Sequence, residues 1–150
     1  ETAPTVERDG VWARVIAGEC LGVTSSIDTV IPISLIHVKM EEGAVLNQTI
    51  ASGLNGMIYV FSGSIRVNDQ LSVRKQPMPF GIGIKQQVSD GELALLSDGE
   101  TVEITCDSPC DLLILAGPEI DEPIARYGPF VMNTREIHQA VIDYQNGTFA

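Results

Sequence analysis

The sequence predicts an all-β sandwich or closed barrel that ends in a single α-helix. Three observations carry this expectation. Short β-prone segments recur along the chain, separated by Gly, Asp, Asn and Ser, with no helical periodicity between them. After Asn133 the apolar period switches to that of a helix. The 150 residues, 44% apolar and 19% charged, are enough for one domain with a real core.

Taken in order, the expected strands cover residues 11–17, 34–40, 57–61, 64–67, 92–96, 102–106 and 112–116. Turn signals separate them at Glu42-Gly43, Ser62-Gly63, Asn68-Asp69, Asp90-Gly91, Asp98-Gly99 and Asp107-Ser-Pro109. Ser62-Gly63 lies between two apolar runs and reads as a tight hairpin. Residues 24–29 form a polar loop, and 76–83 hold two prolines and two glycines, which bars a central strand. That second stretch reads as a long loop around Phe80, either a lid at a barrel mouth or an ordinary surface excursion. No internal repeat or linker divides the chain, so residues 1–150 are expected to form one domain.

The helix is expected at about 134–146. Asn133 is an N-cap residue, and Glu136 three positions later completes a capping-box pattern. Ile137, Ala140, Val141 and Tyr144 make one apolar stripe, which should dock on the outside of the sandwich. Arg135, His138, Gln139, Asp143 and Gln145 fall on the wet side, and Asn146-Gly147 supplies the stop.

Charge excludes some partners. Twenty acidic residues against nine basic give a formal net charge of −11, and Arg74-Lys75 is the only adjacent cationic pair. Such a surface repels phosphate backbones, so direct nucleic-acid binding is disfavoured. No apolar run approaches the roughly 18–20 residues of a membrane-spanning helix, and the polar start at Glu1 does not read as a signal peptide. Because the chain opens on Glu1 rather than Met, a processed chain or an excised domain is expected. Cys20, Cys106 and Cys110 are an odd set. Cys106-Asp-Ser-Pro-Cys110 is at most half of a zinc site, and the second pair is missing. Reduced thiols on either side of a turn are expected, in a cytoplasmic setting or, in a eukaryote, also a nuclear one.

The residues now assembled resemble the C-terminal barrel of the pirin family, proteins with two cupin jelly-roll barrels side by side. The resemblance rests on Val15-Ile-Ala-Gly18, Ile58-Tyr-Val-Phe-Ser-Gly63 and Leu113-Ile-Leu-Ala-Gly117. Glu122-Pro-Ile and Gly128-Pro-Phe-Val-Met-Asn-Thr134 complete it. It implies a cupin double-stranded β-helix open at one end, followed by one C-terminal α-helix. It also implies a preceding barrel, absent from this chain, that carries the iron. The sequence departs from the family pattern in an Asn-Thr-Arg-Glu-Ile helix start one acidic residue short, and in an expanded loop around Phe80.

Metal-binding cupins share the pattern G(X)5HXH(X)3–4E(X)6G, followed later by another His. Here Gly43 and Gly63 fit the framework, but the ligand positions fall on Thr49, Ala51 and Gly56. Ala and Gly offer no donor and a Thr hydroxyl is a weak one, so no metal and no catalytic residue is expected in this chain. No His lies between His37 and His138. His37 shares a strand face with Leu35 and Lys39 and reads as a surface or hydrogen-bonded residue. No nucleophile elbow, phosphate loop or dinucleotide fingerprint is present. Paired carboxylates at Glu41-Glu42, Asp121-Glu122 and Glu100/Glu103 lie at or beside turns and read as solvated surface.

What remains in the cup is amide-rich: Asn47, Gln48, Thr49, Asn55 and Tyr59 could orient a small polar ligand or satisfy one another around water. The leading expectation is a metal-free structural or interaction module. It would pair with an N-terminal cupin, a second copy or another protein. By resemblance, the parent would be an iron-binding, redox-responsive transcriptional co-regulator or a quercetin 2,3-dioxygenase. The alternatives are a dioxygenase whose site another chain completes and a stand-alone small-ligand cupin.

Overall fold

A computed structural model describes residues 2–67, 74–75, 83–84, 86–96, 100–121, 124–128 and 130–148. The expected loop at 76–83 lies outside the described residues except at its end, Gly83. Two compact units emerge, Glu1–Glu119 and Ile120–Ala150.

The first unit begins with β1 (Thr5–Arg8), β2 (Val11–Ala17), the short β3 (Glu19–Cys20) and β4 (Val23–Thr24), β5 (Ser34–Met40) and β6 (Val45–Thr49). It continues through β7 (Leu54–Val67), β8 (Arg74–Lys75), β9 (Gly83–Ile84), β10 (Gln87–Ser89), β11 (Leu93–Leu95) and β12 (Thr101–Pro118). Ten of these strands form one sheet. Two long strands, β7 and β12, run through it antiparallel to each other for most of their length.

Their two halves have different neighbours. The C-terminal half of β12 pairs with β5, and the N-terminal half of β7 pairs with β11. The N-terminal half of β12 instead pairs with β6, and the C-terminal half of β7 with β10. The sheet therefore folds over along a corner that both long strands cross. Side chains from the two sides of that corner share one core, including Ile36, Ile58 and Ile114 from one side and Leu46, Ile65 and Ile104 from the other.

The corner corrects the expected hairpin at Ser62-Gly63. Up to Val60, β7 buries its even-numbered residues Gly56, Ile58 and Val60; beyond Gly63 it buries the odd-numbered Ile65 and Val67. One extra residue has been inserted, which is what a β-bulge does, and Gly63 sits there at φ +81°. The bulge lets the strand bend while keeping its apolar side inward on both sides. Opposite it, β12 shifts register between Cys106 and Leu112, so Asp107-Ser-Pro109 is a bulged stretch of a continuous strand and not a turn. Arg66 Nε donates to Asp107 Oδ1 at 2.7 Å across this corner, and the hydroxyls of Ser64 and Ser108 lie 3.0 Å apart.

Away from the corner, register builds inward rows of side chains. Val15, Ile36, Ile114, Ile58 and Ala94 lie side by side across five strands, all fully buried. Ala13, Val38, Leu112 and Val60 make the next row.

The second unit is a ribbon of β13 (Ala125–Tyr127) and β14 (Phe130–Met132) followed by α1 (Thr134–Gln145). Tyr127 pairs with Phe130, and Gly128 takes φ +56°. The capping box forms as expected. Asn133 Oδ1 accepts from the Glu136 N–H at 2.9 Å, and the Asn133 N–H donates to Glu136 Oε2 at 3.2 Å. Ile137 and Ala140 are buried, but Tyr144 is exposed, unlike the expected stripe. Tyr127 of the ribbon shares a pocket with Ile137, Ile142 and Gln145, but Tyr144 projects away from it into solvent. No helix among the described residues is long and apolar enough to cross a membrane.

Candidate functional site

Strand β6 and the turn after it carry the positions at which a metal-binding cupin would place its first ligands. Alternation along this segment turns Leu46, Gln48 and Ile50 inward and leaves Asn47 and Thr49 exposed. The interior at this level is thus aliphatic except for Gln48, the only buried polar residue among those described. Its Nε2 donates to Glu19 O at 2.9 Å and to Thr49 O at 3.0 Å, tying β3 to β6.

The three ligand positions do not converge on a metal. Thr49 and Ala51 are exposed and line a cavity of about 430 Å³ beside β3 and β4. Gly56 is buried on β7, and Leu96 Cδ1 lies 2.9 Å from where a β-carbon on Gly56 would be. A leucine fills the place of a carboxylate. Among the described residues no group of three or more His, Cys, Asp or Glu could hold a metal ion. The donor set does not fit iron, which wants imidazoles and a carboxylate converging on one point.

Of the four residues expected to line a pocket, Asn47 and Thr49 do so in this cavity. Asn55 and Tyr59 do not line it; they lie on the outward side of β7.

That outward side carries a second cluster. His37 Nε2 and Asp111 Oδ1 are 2.6 Å apart, and Lys39 Nζ lies 3.7 Å from the other carboxylate oxygen. The His37 ring meets Trp12 edge-on at 5.5 Å and Phe61 at 6.4 Å, while Tyr59 packs edge-on against Phe61 at 5.0 Å. Arg14 and Lys39 stand over the Trp12 ring at 5.5 and 5.8 Å. Strand pairing explains the assembly, since His37 lies opposite both Arg14 and Leu113, and Lys39 opposite both Trp12 and Asp111. The sequence showed His37 beside Lys39 on an outer face, but not its carboxylate, which is 74 residues away. Among the described residues the hydrogen-bond partner of the His37 ring is the Asp111 carboxylate.

The bent sheet, the filled ligand positions and the trailing capped helix meet one family description. The family model of the pirin C-terminal cupin domain matches residues 35–150. The chain belongs to the pirin family. Rat pirin (Rattus norvegicus) is 32% identical over 149 residues, covering 97% of this chain and 47% of the relative. A pirin-like protein of tomato (Solanum lycopersicum) is 31% identical over 147 residues, covering 96% and 46%. The crystal structure of a quercetin 2,3-dioxygenase from Acinetobacter baumannii superposes with a TM-score of 0.77 at 27% identity, covering 99% of this chain and 48% of that one. The cupin fold is therefore shown, and the chain spans about half the length of the relatives it matches.

In this pirin-family barrel the three thiols are free and buried. Cys106 and Cys110 do not flank a turn; they meet inside the corner with sulfurs 3.5 Å apart, and Cys106 Sγ donates to Ser108 O at 2.9 Å. Burial, with Glu19 nearby, pushes Cys20 up to about 11. Burial and then the contact with Cys106 push Cys110 up to about 12, and burial also raises Cys106. Unreactive thiols follow, because the thiolate is the nucleophile. We expect Ellman's reagent at mildly alkaline pH to leave all three untouched in the native chain and to titrate three after denaturation. One fast-reacting native thiol would contradict the burial. An unfolded thiol ionises near 9.0, whereas the native ones hold their protons to about 11 and 12. Their contribution to stability is thus intact below pH 9 and is lost as pH rises through that window.

Proposed function

We propose that this chain is the metal-free half of a two-barrel protein and serves as a structural and interaction module beside an iron-holding cupin barrel. The carrying observation is the state of the ligand positions: Thr49 and Ala51 are exposed along a cavity, and Leu96 occupies the space beside Gly56. At least four side chains would have to change before a cupin metal site could exist, because the pattern also needs a later His and none lies between His37 and His138.

Length supports the second barrel, since the relatives run to about twice the matched span. The outward cluster of Trp12, His37, Tyr59 and Phe61 supports an interaction role. Aromatic rings, a cation pair and a hydrogen-bonded charge on one face are the ingredients of an interface centre. Phe61 is half exposed there. Redox-responsive transcriptional co-regulation or quercetin 2,3-dioxygenase chemistry would belong to the whole protein, with its iron in the other barrel.

Iron loading of the isolated chain tests this reading. After anaerobic incubation with ferrous iron and desalting, we expect well under one-tenth equivalent of iron per chain and no oxygen uptake with quercetin. Stoichiometric iron with quercetin-dependent oxygen uptake would overturn it.

A further inference from the structure

Cys106 and Cys110 are four residues apart on one strand, a spacing that regular pleating would stretch to about 13 Å. The bulged stretch of β12 shortens it. Register shifts on both sides of Ser108 gather the chain there, and both side chains are buried in the corner. The two sulfurs meet at 3.5 Å. A disulfide bond is about 2 Å long, so each sulfur has less than about 1 Å to travel. Cys20, on β3, is not part of this contact.

We propose that Cys106 and Cys110 are a two-electron redox pair that a hydroperoxide joins as a disulfide inside the corner. The pair is independent of the second barrel and its iron. The Cys106 thiolate attacks one peroxide oxygen and the O–O bond breaks, which leaves a sulfenic acid on Cys106 and releases one water. The Cys110 sulfur then attacks the Cys106 sulfur, and the hydroxyl leaves as water with the Cys110 proton. In sum, two thiols lose two hydrogens and two electrons, and hydrogen peroxide becomes two waters.

The contact assigns the roles. Burial and then the bond to Cys106 push Cys110 up to about 12, whereas in Cys106 the same bond works against burial. Cys106 therefore ionises first, and Cys110 resolves. The corner also selects the end product. A disulfide carries no charge and needs no hydrogen bond, whereas a sulfinate would bring an unsolvated anion among apolar side chains. Burial sets the tempo. Scarce thiolate makes the reaction slow, so the pair answers to sustained oxidant and stays silent to a bulky dianion such as Ellman's reagent. A peroxide molecule, close to water in size, enters during local opening.

The reduced 150-residue chain, treated for hours with millimolar hydrogen peroxide at mildly alkaline pH and then alkylated in denaturant, tests this. Intact mass should show a chain lighter by two hydrogens, with Cys20 alone alkylated. Proteolysis on the N-terminal side of Asp107 should leave the fragments joined, and dithiothreitol should release them. Cys20→Ala should close the same bond at the same rate. Cys110→Ser should instead hold a sulfenic acid at Cys106 that dimedone traps. The chain treated in urea supplies the unfolded reference, in which Cys20 also pairs. In the native chain the Cys106–Cys110 link should exceed every link to Cys20 at least tenfold. Three alkylatable thiols after treatment, sulfinic acids in place of the link, or the mixture seen in urea would each overturn the proposal.

Discussion

Replacing Gly63 with alanine is expected to destabilise the barrel by about 3 kcal/mol or more, combining backbone strain with a steric clash. Two terms act together. The residue holds φ +81°, a region that penalises any β-carbon. A β-carbon there would also overlap the Pro109 carbonyl oxygen and come within 2.8 Å of Cys110 Cα, and neither is a side-chain tip that can swing away. Gly53 separates the terms, because it has φ +83° but a β-carbon on it would meet nothing within 4 Å. Gly53→Ala should therefore cost only about 1 kcal/mol, near the lower end of the strain range. Urea unfolding of both variants measures the difference. Equal midpoints would mean that the corner is not closely packed.

The second large effect is expected at Ile114. It is fully buried, with Ile36 on one side and Ile58 on the other, in the row that crosses five strands. Ile114→Ala should cost about 2–5 kcal/mol, since the paired backbones on both sides limit how far the site can collapse. Leu113→Ala, one residue away on the outward face, should cost clearly less. A smaller loss at Ile114 than at Leu113 would reverse the assigned facing of β12.

Much of the fold was legible because local signals and tertiary pairing agreed. Strands β2 and β5 occupy the expected residues 11–17 and 34–40, and Asn133 and Glu136 cap the helix as their spacing implied. The corner was not legible. Ser62-Gly63 carries the same chemistry in a two-residue hairpin as in a bulge, and only the pairing of β7 with β12 decides between them. Tyr144 follows the helical period, but local period cannot report which part of the stripe its neighbours cover.

The candidate site divides in the same way. The absence of ligand side chains at Thr49, Ala51 and Gly56 could be read by counting from Gly43. That Gln48 would be the inward residue between exposed Asn47 and Thr49 required the strand's facing. The meeting of His37 with Asp111, and of Cys106 with Cys110, depends on pairing and on the bulge, neither of which is a local property.

The two shared strands also bear on how the molecule is made. Neither side of the corner can be completed from one stretch of chain, because each needs part of β7 and part of β12. During synthesis from the N-terminus, the early strands must wait on the ribosome until Pro118 has emerged. Such distant pairing slows folding and lengthens the time that apolar edges stay uncovered. The chain between β7 and β12 is not free to vary throughout, because it returns to β7 as β10 and β11 and places Val88 and Ala94 in the core. Length added between those pairings, and not within them, raises the cost of closure only logarithmically.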